Sequence, residues 1–266
     1  MLALIAGQGA LPLHLSEALH AAGTPHTVFS LEGFEPDLPD VTSFRVEDLG
    51  QVLKDLSDAG VSEVCFAGAM QRPPIDPARL HPLSLPLVPR LMSVLQQGDD
   101  RLLREVIAVF EEAGLKVRGA AEIAPELTAP DGAICGTPGP QHLADAEKGR
   151  SLLASLSPHD VSQGCVFANG HCLGIETLQG TDAMLGFVAE TRTPVAPQAG
   201  GVFTKRAKLG QDLRIDMPAI GPETVRIAAA AGLSGICVEA GHVLLLDRMR
   251  LIRDAQAHDI VVWGAA

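Results

Sequence analysis

The sequence predicts an α/β protein, and three observations point to this fold class. Short apolar runs of strand length, the first at residues 2–6, alternate with segments in which leucines recur at helical spacing. Glycines follow several of these runs, as they do where a parallel strand turns into a helix. A stretch rich in proline and glycine at 124–140 interrupts the alternation, so we expect the chain to fold in two parts.

The first part is expected to form a doubly wound half with five strands. Leu11, Leu15 and Leu19 lie on one helical face, and Gly23 is placed to end that helix. Between residues 73 and 89 six prolines exclude a continuous helix, and the leucines among them predict an ordered, partly apolar loop. The expected strands are 2–6, 26–31, 42–46, 63–67 and 115–119, and the expected helices are 11–22, 51–59 and 101–113.

The second part alternates strands and helices less regularly. Asn169-Gly170 lies between two apolar runs, 164–167 and 172–177, and this pattern is typical of a β-hairpin with a two-residue turn. Apolar periodicity predicts the remaining elements. They are helices at 142–156, 181–189, 223–231 and 248–257, and strands at 201–204 and 235–238, while 243–246 and 260–263 are further apolar runs.

Composition excludes several classes of partner. The 266 residues carry 20 Lys plus Arg against 32 Asp plus Glu, a net charge of −12, which disfavours binding to a nucleic-acid backbone. Five cysteines without C-x-x-C spacing predict free thiols in a reducing cytoplasm and no cysteine zinc site. No secretion signal and no run of bilayer-spanning length is visible, so we expect any membrane contact to be peripheral.

Two glycine turns follow predicted strands and are candidates for substrate binding. In the first, Gly7, Gly9, Ala10 and Leu11 could present backbone N–H groups to an anion at a helix start. Position 12 is proline where a dinucleotide fingerprint has its third glycine, so three readings stay open: a nicotinamide dinucleotide, another phosphate-bearing ligand, or a structural turn. In the second, at Gly68, Ala69 and Arg72, the arginine could pair with a phosphate or simply be exposed in a turn.

A third candidate surrounds a glycine turn in the second half. Glu176 and Asp182 flank Gln179, Gly180 and Thr181 at the start of a predicted helix. Two carboxylates at a turn could hold Mg²⁺ through oxygen ligands. Thr181 or Asp182 could equally be a helix cap, with Glu176 a surface acid.

The densest group of charged residues lies between Lys205 and Asp216. On an extended segment Asp212, Arg214 and Asp216 would share one face, because side chains alternate along a strand. Carboxylates that hold Mg²⁺ or a water, next to cations that meet phosphates, suit metal-assisted phosphoryl chemistry. The alternative is a solvated strand of ion pairs.

Five motifs in this order resemble those of the LpxI family, and together they run from residue 5 to about 246. They are Ile5-Ala6-Gly7-Gln8-Gly9-Ala10-Leu11-Pro12, Gly68-Ala69-Met70 with Arg72-Pro73, Gly98-Asp99-Asp100 with Leu102-Leu103, Gly174-Ile175-Glu176 with Gly180-Thr181-Asp182-Ala183-Met184-Leu185, and Gln211-Asp212 through Pro218 with Ile220-Gly221.

The resemblance implies a Rossmann-like nucleotide-binding domain at 1–130 and a C-terminal α/β catalytic domain at 131–266. It implies Mg²⁺-dependent hydrolysis of UDP-2,3-diacylglucosamine, a lipid-linked UDP-sugar, at the α-phosphorus. The expected products are UMP and 2,3-diacylglucosamine 1-phosphate of lipid A biosynthesis. It also implies a cytoplasmic homodimer that contacts the inner membrane peripherally.

Under this hypothesis Asp216 is the preferred essential aspartate, with Asp212 as the alternative in the same motif. Asp212, Asp216 and Glu176 are the candidate metal ligands, while Lys205 and Arg214 would offset negative charge. The glycine turns, Arg72 and residues 179–182 would bind the substrate. Two other functions stay open: a nicotinamide-dependent oxidoreductase, and a non-catalytic carrier of a lipid nucleotide.

Overall fold

The computed structural model describes residues 1–94, 99–193, 196 and 200–266, and these form two compact units. Unit 1 comprises Met1–Pro125 and Asp212–Asp216, and unit 2 comprises Glu126–Gln211 and Met217–Ala266. The segment Asp212–Asp216, hereafter the inserted turn, belongs to unit 1 although the sequence suggested that it lies in the second domain. The side chain of Ile215 accounts for this placement, because it packs against the apolar core of unit 1.

Unit 1 is built on a five-stranded parallel sheet, so the expected α/β class is confirmed. The strand order is β3-β2-β1-β4-β5, and Leu4 of the central strand lies between Val28 and Cys65 of its neighbours. The chain order reverses between β1 and β4, and in such sheets ligands bind at that point of the carboxyl edge. The strands are Leu2–Ala6 (β1), His26–Leu31 (β2), Val41–Phe44 (β3), Glu63–Ala67 (β4) and Lys116–Arg118 (β5).

Helices cover this sheet, and α1, α2 and α4 arise where the leucine spacing predicts them, whereas the short α5 was not predicted. The amphipathic helices α2 and α4 bury Leu53, Leu56 and Phe110 in the core. The sequence did not predict α3, and position 98 of the third motif lies outside the described residues. The helices are Leu11–Ala21 (α1), Leu49–Asp58 (α2), Val88–Val94 (α3), Asp99–Glu112 (α4) and Ala120–Ile123 (α5).

The proline-rich loop is ordered, as expected, and contains no continuous helix before residue 88. Two 3₁₀ helices form instead, at Pro77–Arg79 and Pro82–Leu87. Ser84 is buried there, and its hydroxyl accepts a hydrogen bond of 2.9 Å from the N–H of Gly50. A distant segment thereby caps the first turn of α2, whose initial N–H groups have no partner within the helix.

Unit 2 is built on a mixed six-stranded sheet with the order β6-β13-β11-β9-β7-β8. The strands β9, β11 and β13 are mutually parallel, while β6, β7 and β8 pair antiparallel with their neighbours. A small parallel pair, β10 with β12, lies apart from it. The strands are Gly132–Cys135 (β6), Gly164–Ala168 (β7), His171–Ile175 (β8), Val202–Lys205 (β9), Ala219–Ile220 (β10), Gly235–Glu239 (β11), Leu244–Leu245 (β12) and Val261–Ala265 (β13).

The predicted hairpin of unit 2 is confirmed and has a polar anchor. Asn169 and Gly170 both have positive φ, 50° and 80°, as a two-residue type I′ turn requires. The carboxylate of Asp145, buried in α6, accepts their N–H groups at 3.0 and 2.7 Å. The helices of unit 2 are Pro140–Leu156 (α6), Thr181–Thr191 (α7), Pro222–Ala230 (α8) and Arg248–Ala257 (α9).

The sequence did not predict β6, which lies within the Pro- and Gly-rich stretch and owes its conformation to pairing with β13. Among the described residues, no helix is both long and apolar enough to span a bilayer.

Candidate active site

The two predicted glycine turns of unit 1 meet at the carboxyl edge of the sheet. They follow the adjacent strands β1 and β4, and their backbones pair with each other. The N–H of Gln8 donates to the carbonyl of Ala69 at 2.9 Å, and the N–H of Ala69 donates to the carbonyl of Gln8 at 2.8 Å. The loops are therefore joined at the point where the chain order of the sheet reverses.

This pairing explains why positions 7 and 68 are glycines: the two backbones pack too closely to leave room for a Cβ atom. A Cβ atom at position 7 would lie 2.4 Å from the carbonyl oxygen of Ala69. A Cβ atom at position 68 would lie 2.7 Å from the carbonyl oxygen of Gln8, and the φ of Gly68 is +90°. Because the N–H groups of Gly7 and Gln8 donate to backbone carbonyls and Pro12 has no N–H, the N–H groups of this loop that could meet a phosphate are those of Gly9, Ala10 and Leu11.

The inserted turn lies at the same edge of the unit 1 sheet. Gly119 directly follows β5, and a Cβ atom there would lie 3.3 Å from the Cα of Arg214. The expectation of an extended segment is wrong: the N–H groups of Ile215 and Asp216 both donate to the carbonyl of Asp212, at 3.4 Å, and close a turn. Unit 1 thus places the glycine loops and the inserted turn at the ends of neighbouring parallel strands, β1, β4 and β5.

Arg214 lies between two carboxylates. Its Nε and Nη2 donate to the two oxygens of Asp212 at 3.0 and 2.7 Å, and its Nη1 donates to Glu111 of α4 at 2.7 Å. These bonds hold the pKa of Asp212 below its ordinary value, chiefly through the hydrogen bonds from Arg214. The sequence did not identify Glu111, since an acidic residue late in an amphipathic helix resembles any solvated side chain.

Three residues with different predicted roles form one buried cluster in unit 2. Lys205, at the end of β9, donates from Nζ to both oxygens of Glu176 at 3.0 and 2.9 Å. It also donates to the hydroxyl of Thr181 at 2.7 Å, and that hydroxyl donates to Glu176 at 2.9 Å. The side chains of Lys205 and Glu176 are only 5% and 12% exposed, so this is a desolvated ion pair that fixes the start of α7.

The cluster does not fit the predicted metal-ligand role of Glu176, because an ammonium group already occupies both of its oxygens. Within each unit, no three His, Cys, Asp or Glu side chains of the described residues converge as a metal site would require. Both oxygens of Asp212 are bound as well, by Arg214, but that guanidinium is 38% accessible, so Asp212 and Asp216 stay the candidate ligands for a magnesium ion. Mg²⁺ is commonly held by one or two carboxylates while substrate phosphates and water complete its shell.

Gln179 and Gly180, two of the four predicted binding residues of unit 2, line a groove at the start of α7. Gly180 has a φ of +87°, and with Gln179 it borders a cavity of about 330 Å³ whose other walls include Met184 and Phe187. Burial raises the pKa of the Asp182 carboxyl, and the nearby Glu223 carboxylate raises it further. Arg72 of unit 1 is exposed, five positions beyond the end of β4.

A second charged pair, which the sequence did not single out, lies at the carboxyl ends of β9 and β11. Arg206 donates to Glu239 at 3.0 Å, and the other oxygen of Glu239 accepts the N–H of Ala207 at 3.0 Å. Both side chains are mostly buried. The carboxyl edge of the parallel part of the unit 2 sheet therefore carries both Lys205 and Arg206, with a carboxylate opposite each.

Comparison with known proteins covers nearly the whole chain. Family models described as the LpxI N-terminal domain and the LpxI C-terminal domain match residues 1–127 and 130–263. The chain is similar to a protein of Caulobacter vibrioides named UDP-2,3-diacylglucosamine pyrophosphatase LpxI. The two are 37% identical over 270 residues, which span 99% of this chain and 96% of that protein.

Proposed function

The chain belongs to the LpxI family, and on this basis we propose that it is an enzyme that hydrolyses UDP-2,3-diacylglucosamine in lipid A biosynthesis. The observation that carries the proposal is the similarity to the Caulobacter vibrioides pyrophosphatase, which extends across both units. The geometry of unit 1 adds support. It gathers the glycine loops and a charged turn at the edge of the sheet where ligands of such folds bind.

The proposed reaction breaks the diphosphate at its α-phosphorus. The oxygen of a water molecule forms a bond to the α-phosphorus, and the bond from that phosphorus to the bridging oxygen breaks. The bridging oxygen keeps the electron pair and leaves on 2,3-diacylglucosamine 1-phosphate, while the other product is UMP. The proton lost by the water passes to a carboxylate or to solvent.

Named side chains of the inserted turn suit these steps. We assign the orientation of the attacking water to Asp216, with Asp212 held in its ionised form by Arg214. The guanidinium of Arg214 would offset charge that develops on the phosphates. The charge of Lys205 is already balanced by Glu176, so we assign it the role of holding Thr181 and the start of α7, next to Gln179, Gly180 and Asp182, ready for substrate.

We propose that Asp212 and Asp216 hold Mg²⁺, the cofactor that the sequence resemblance implied. When bound, the ion would polarise the phosphate oxygens. Carboxylate oxygens are the ligands that Mg²⁺ prefers, and the cation paired with Asp212 is 38% accessible whereas the cation paired with Glu176 is 5% accessible, which supports the aspartates over Glu176.

The experiment incubates purified protein with UDP-2,3-diacylglucosamine in the presence of Mg²⁺ or of EDTA and measures UMP. We expect UMP only with Mg²⁺, and a loss of roughly 10³-fold or more in Asp216→Asn. Asp58→Asn, at an exposed ion pair of α2, is the control and should keep full activity. In H₂¹⁸O the label should enter UMP, because attack at the β-phosphorus would label the sugar phosphate instead.

The outcomes separate the alternatives. Full activity in both Asp212→Asn and Asp216→Asn would remove the proposed metal centre. Tight binding of substrate without turnover with any divalent cation would indicate a carrier, and reduction or oxidation of an added nicotinamide cofactor would indicate an oxidoreductase.

We further propose peripheral contact with the inner membrane from the cytoplasmic side. Exposed apolar side chains in the proline-rich segment and α3 support this: Leu83, Leu85 and Met92 are each about half exposed. Co-sedimentation with vesicles of zwitterionic phospholipid should therefore fall in Leu83→Ser and Leu85→Ser, whereas unchanged binding would exclude this surface.

We also propose a homodimer. The outer edge of β8 is unpaired within its sheet, and Ile175 and Phe187 are exposed nearby, features that a second copy could cover. Sedimentation equilibrium would test this, since a single species of 27.8 kDa would contradict it.

A further inference from the structure

The inserted turn is a short segment of the second half of the chain that belongs to unit 1, so its orientation depends on the residues of unit 1 that it contacts. Ile215 is packed against the core of unit 1, and Gly119 allows the backbone at Arg214 to approach the end of β5. These contacts set how deeply the turn is seated. They act on the backbone of the turn and on the side chain of Ile215.

The carboxylate of Asp212 is held by the fork of Arg214. Two of its nitrogens bind the carboxylate of Asp212, and the backbone N–H of Arg214 also donates to that carboxylate, at 3.1 Å. These bonds are internal to the turn. The third nitrogen, Nη1, donates to Glu111 at 2.7 Å. This bond connects the Arg214–Asp212 pair to α4, which is packed on the sheet.

We propose that Glu111 is a positioning residue for the reaction: by holding the guanidinium of Arg214, it orients the inserted turn and with it Asp212 and Asp216. The inference rests on the proposed function for its effect on turnover. A planar guanidinium group binds two carboxylates in fixed directions. When one of these partners is lost, the whole group becomes free to rotate. Small displacements of reacting groups are costly in phosphoryl transfer, where catalysis is mostly positioning and electrostatics.

The test compares Glu111→Gln with Glu112→Gln. Glu112 is the adjacent residue of the same helix and binds Arg90 of α3, so its substitution also removes one surface ion pair, but one that does not involve the inserted turn. We expect kcat of Glu111→Gln to fall roughly tenfold with KM unchanged within about twofold. Glu112→Gln should keep the kcat of the wild type. A purely structural effect would lower thermal stability equally in both variants and leave kcat alone.

A second measurement does not depend on enzyme activity. Hydrogen exchange of the peptide that covers 211–218 reports the closure of the turn, since the N–H groups of Ile215 and Asp216 bond to Asp212. We expect exchange there to be roughly two- to fivefold faster in Glu111→Gln, as for the loss of one half-exposed ion pair, and unchanged in Glu112→Gln.

The two measurements separate the inferences. Wild-type kcat in Glu111→Gln, or equal exchange in both variants, would overturn the positioning role while the proposed function stands. A wild-type protein without hydrolase activity would overturn the proposed function, and the exchange data would still decide whether Glu111 orients the turn.

Discussion

At the scale of single residues, the charged side chains near strand ends divide into two kinds of network. The Lys205 cluster of unit 2 is desolvated, and each donor has an acceptor. The Arg214 network of unit 1 is partly exposed, with Arg214 38% and Glu111 44% accessible. Burial decides how much each network contributes to the stability of the fold, because an exposed ion pair contributes little while a buried charge without a partner is costly.

The buried cluster leads to a stability prediction. Lys205→Met leaves the carboxylate of Glu176 desolvated without its cation, so we expect the free energy of unfolding to fall by roughly 3–5 kcal/mol. Urea denaturation measures this. Removing both charges in Lys205→Met/Glu176→Leu should recover much of the loss, since no unpaired charge remains buried.

The matched control for this prediction is Lys54→Met, at an exposed ion pair with Asp58, which should change stability by no more than about 0.5 kcal/mol. Equal effects at positions 54 and 205 would contradict the assignment of a buried ion pair.

At the scale of elements, several glycines mark places where two backbones touch. Gly50 of α2 is the clearest case, because a Cβ atom there would lie 2.2 Å from the carbonyl oxygen of Leu83. The glycine lets the proline-rich segment lie against the helix and lets Ser84 cap it. A glycine in the middle of a sequence with helical spacing gives no sign of such a neighbour by itself.

Gly50→Ala is therefore expected to destabilise the protein by roughly 2–4 kcal/mol, since helix and loop must separate. Gly186→Ala in α7 is the contrasting variant. A Cβ atom there meets nothing within 4 Å, so the better helix propensity of alanine should raise stability by about 0.5–1 kcal/mol.

Thermal or urea unfolding of the two alanine variants makes the comparison. Effects of the same sign at positions 50 and 186 would show that close packing against Leu83 is not what requires glycine at position 50.

At the scale of the whole molecule, each of the two units has its own apolar core. A buried thiol in each unit can be used to measure how often that core opens. Cys65 is buried in β4 of unit 1 and Cys237 in β11 of unit 2, and burial raises the pKa of both thiols to about 12. At pH 8, well below these pKa values, both thiols are protonated, and both are buried. Because the thiolate is the reactive form, neither thiol should react quickly. Cys172 on β8 is the exposed thiol.

We predict one fast equivalent in labelling with a thiol reagent at pH 8, and its loss in Cys172→Ser. Ile215→Ala removes a side chain that packs on the unit 1 core, so it should speed the slow labelling of Cys65 and leave that of Cys237 unchanged. Mass spectrometry of the labelled peptides measures both rates. Equal acceleration of the two thiols would mean that the inserted turn supports the molecule as a whole.

The amino-acid sequence determined the local features of this protein. Helical leucine spacing, glycine stops and the Asn169-Gly170 turn act within a few residues, so α1, α9 and the β7–β8 hairpin could be predicted close to their ends. The order of motifs likewise indicated the LpxI family, which the match across both domains confirms.

Only the tertiary structure decided the features that depend on contacts between distant segments. The pairing of the two glycine loops, the strand β6, and the bond from Glu111 to Arg214, 103 positions apart, each require elements that meet only when the sheets form. The same holds for the inserted turn, which Ile215 draws into the core of unit 1. Burial and ion pairing between remote residues leave no periodic pattern in the chain. For this reason the charged residues near Asp216 could be identified from the sequence, but their contacts could not be predicted.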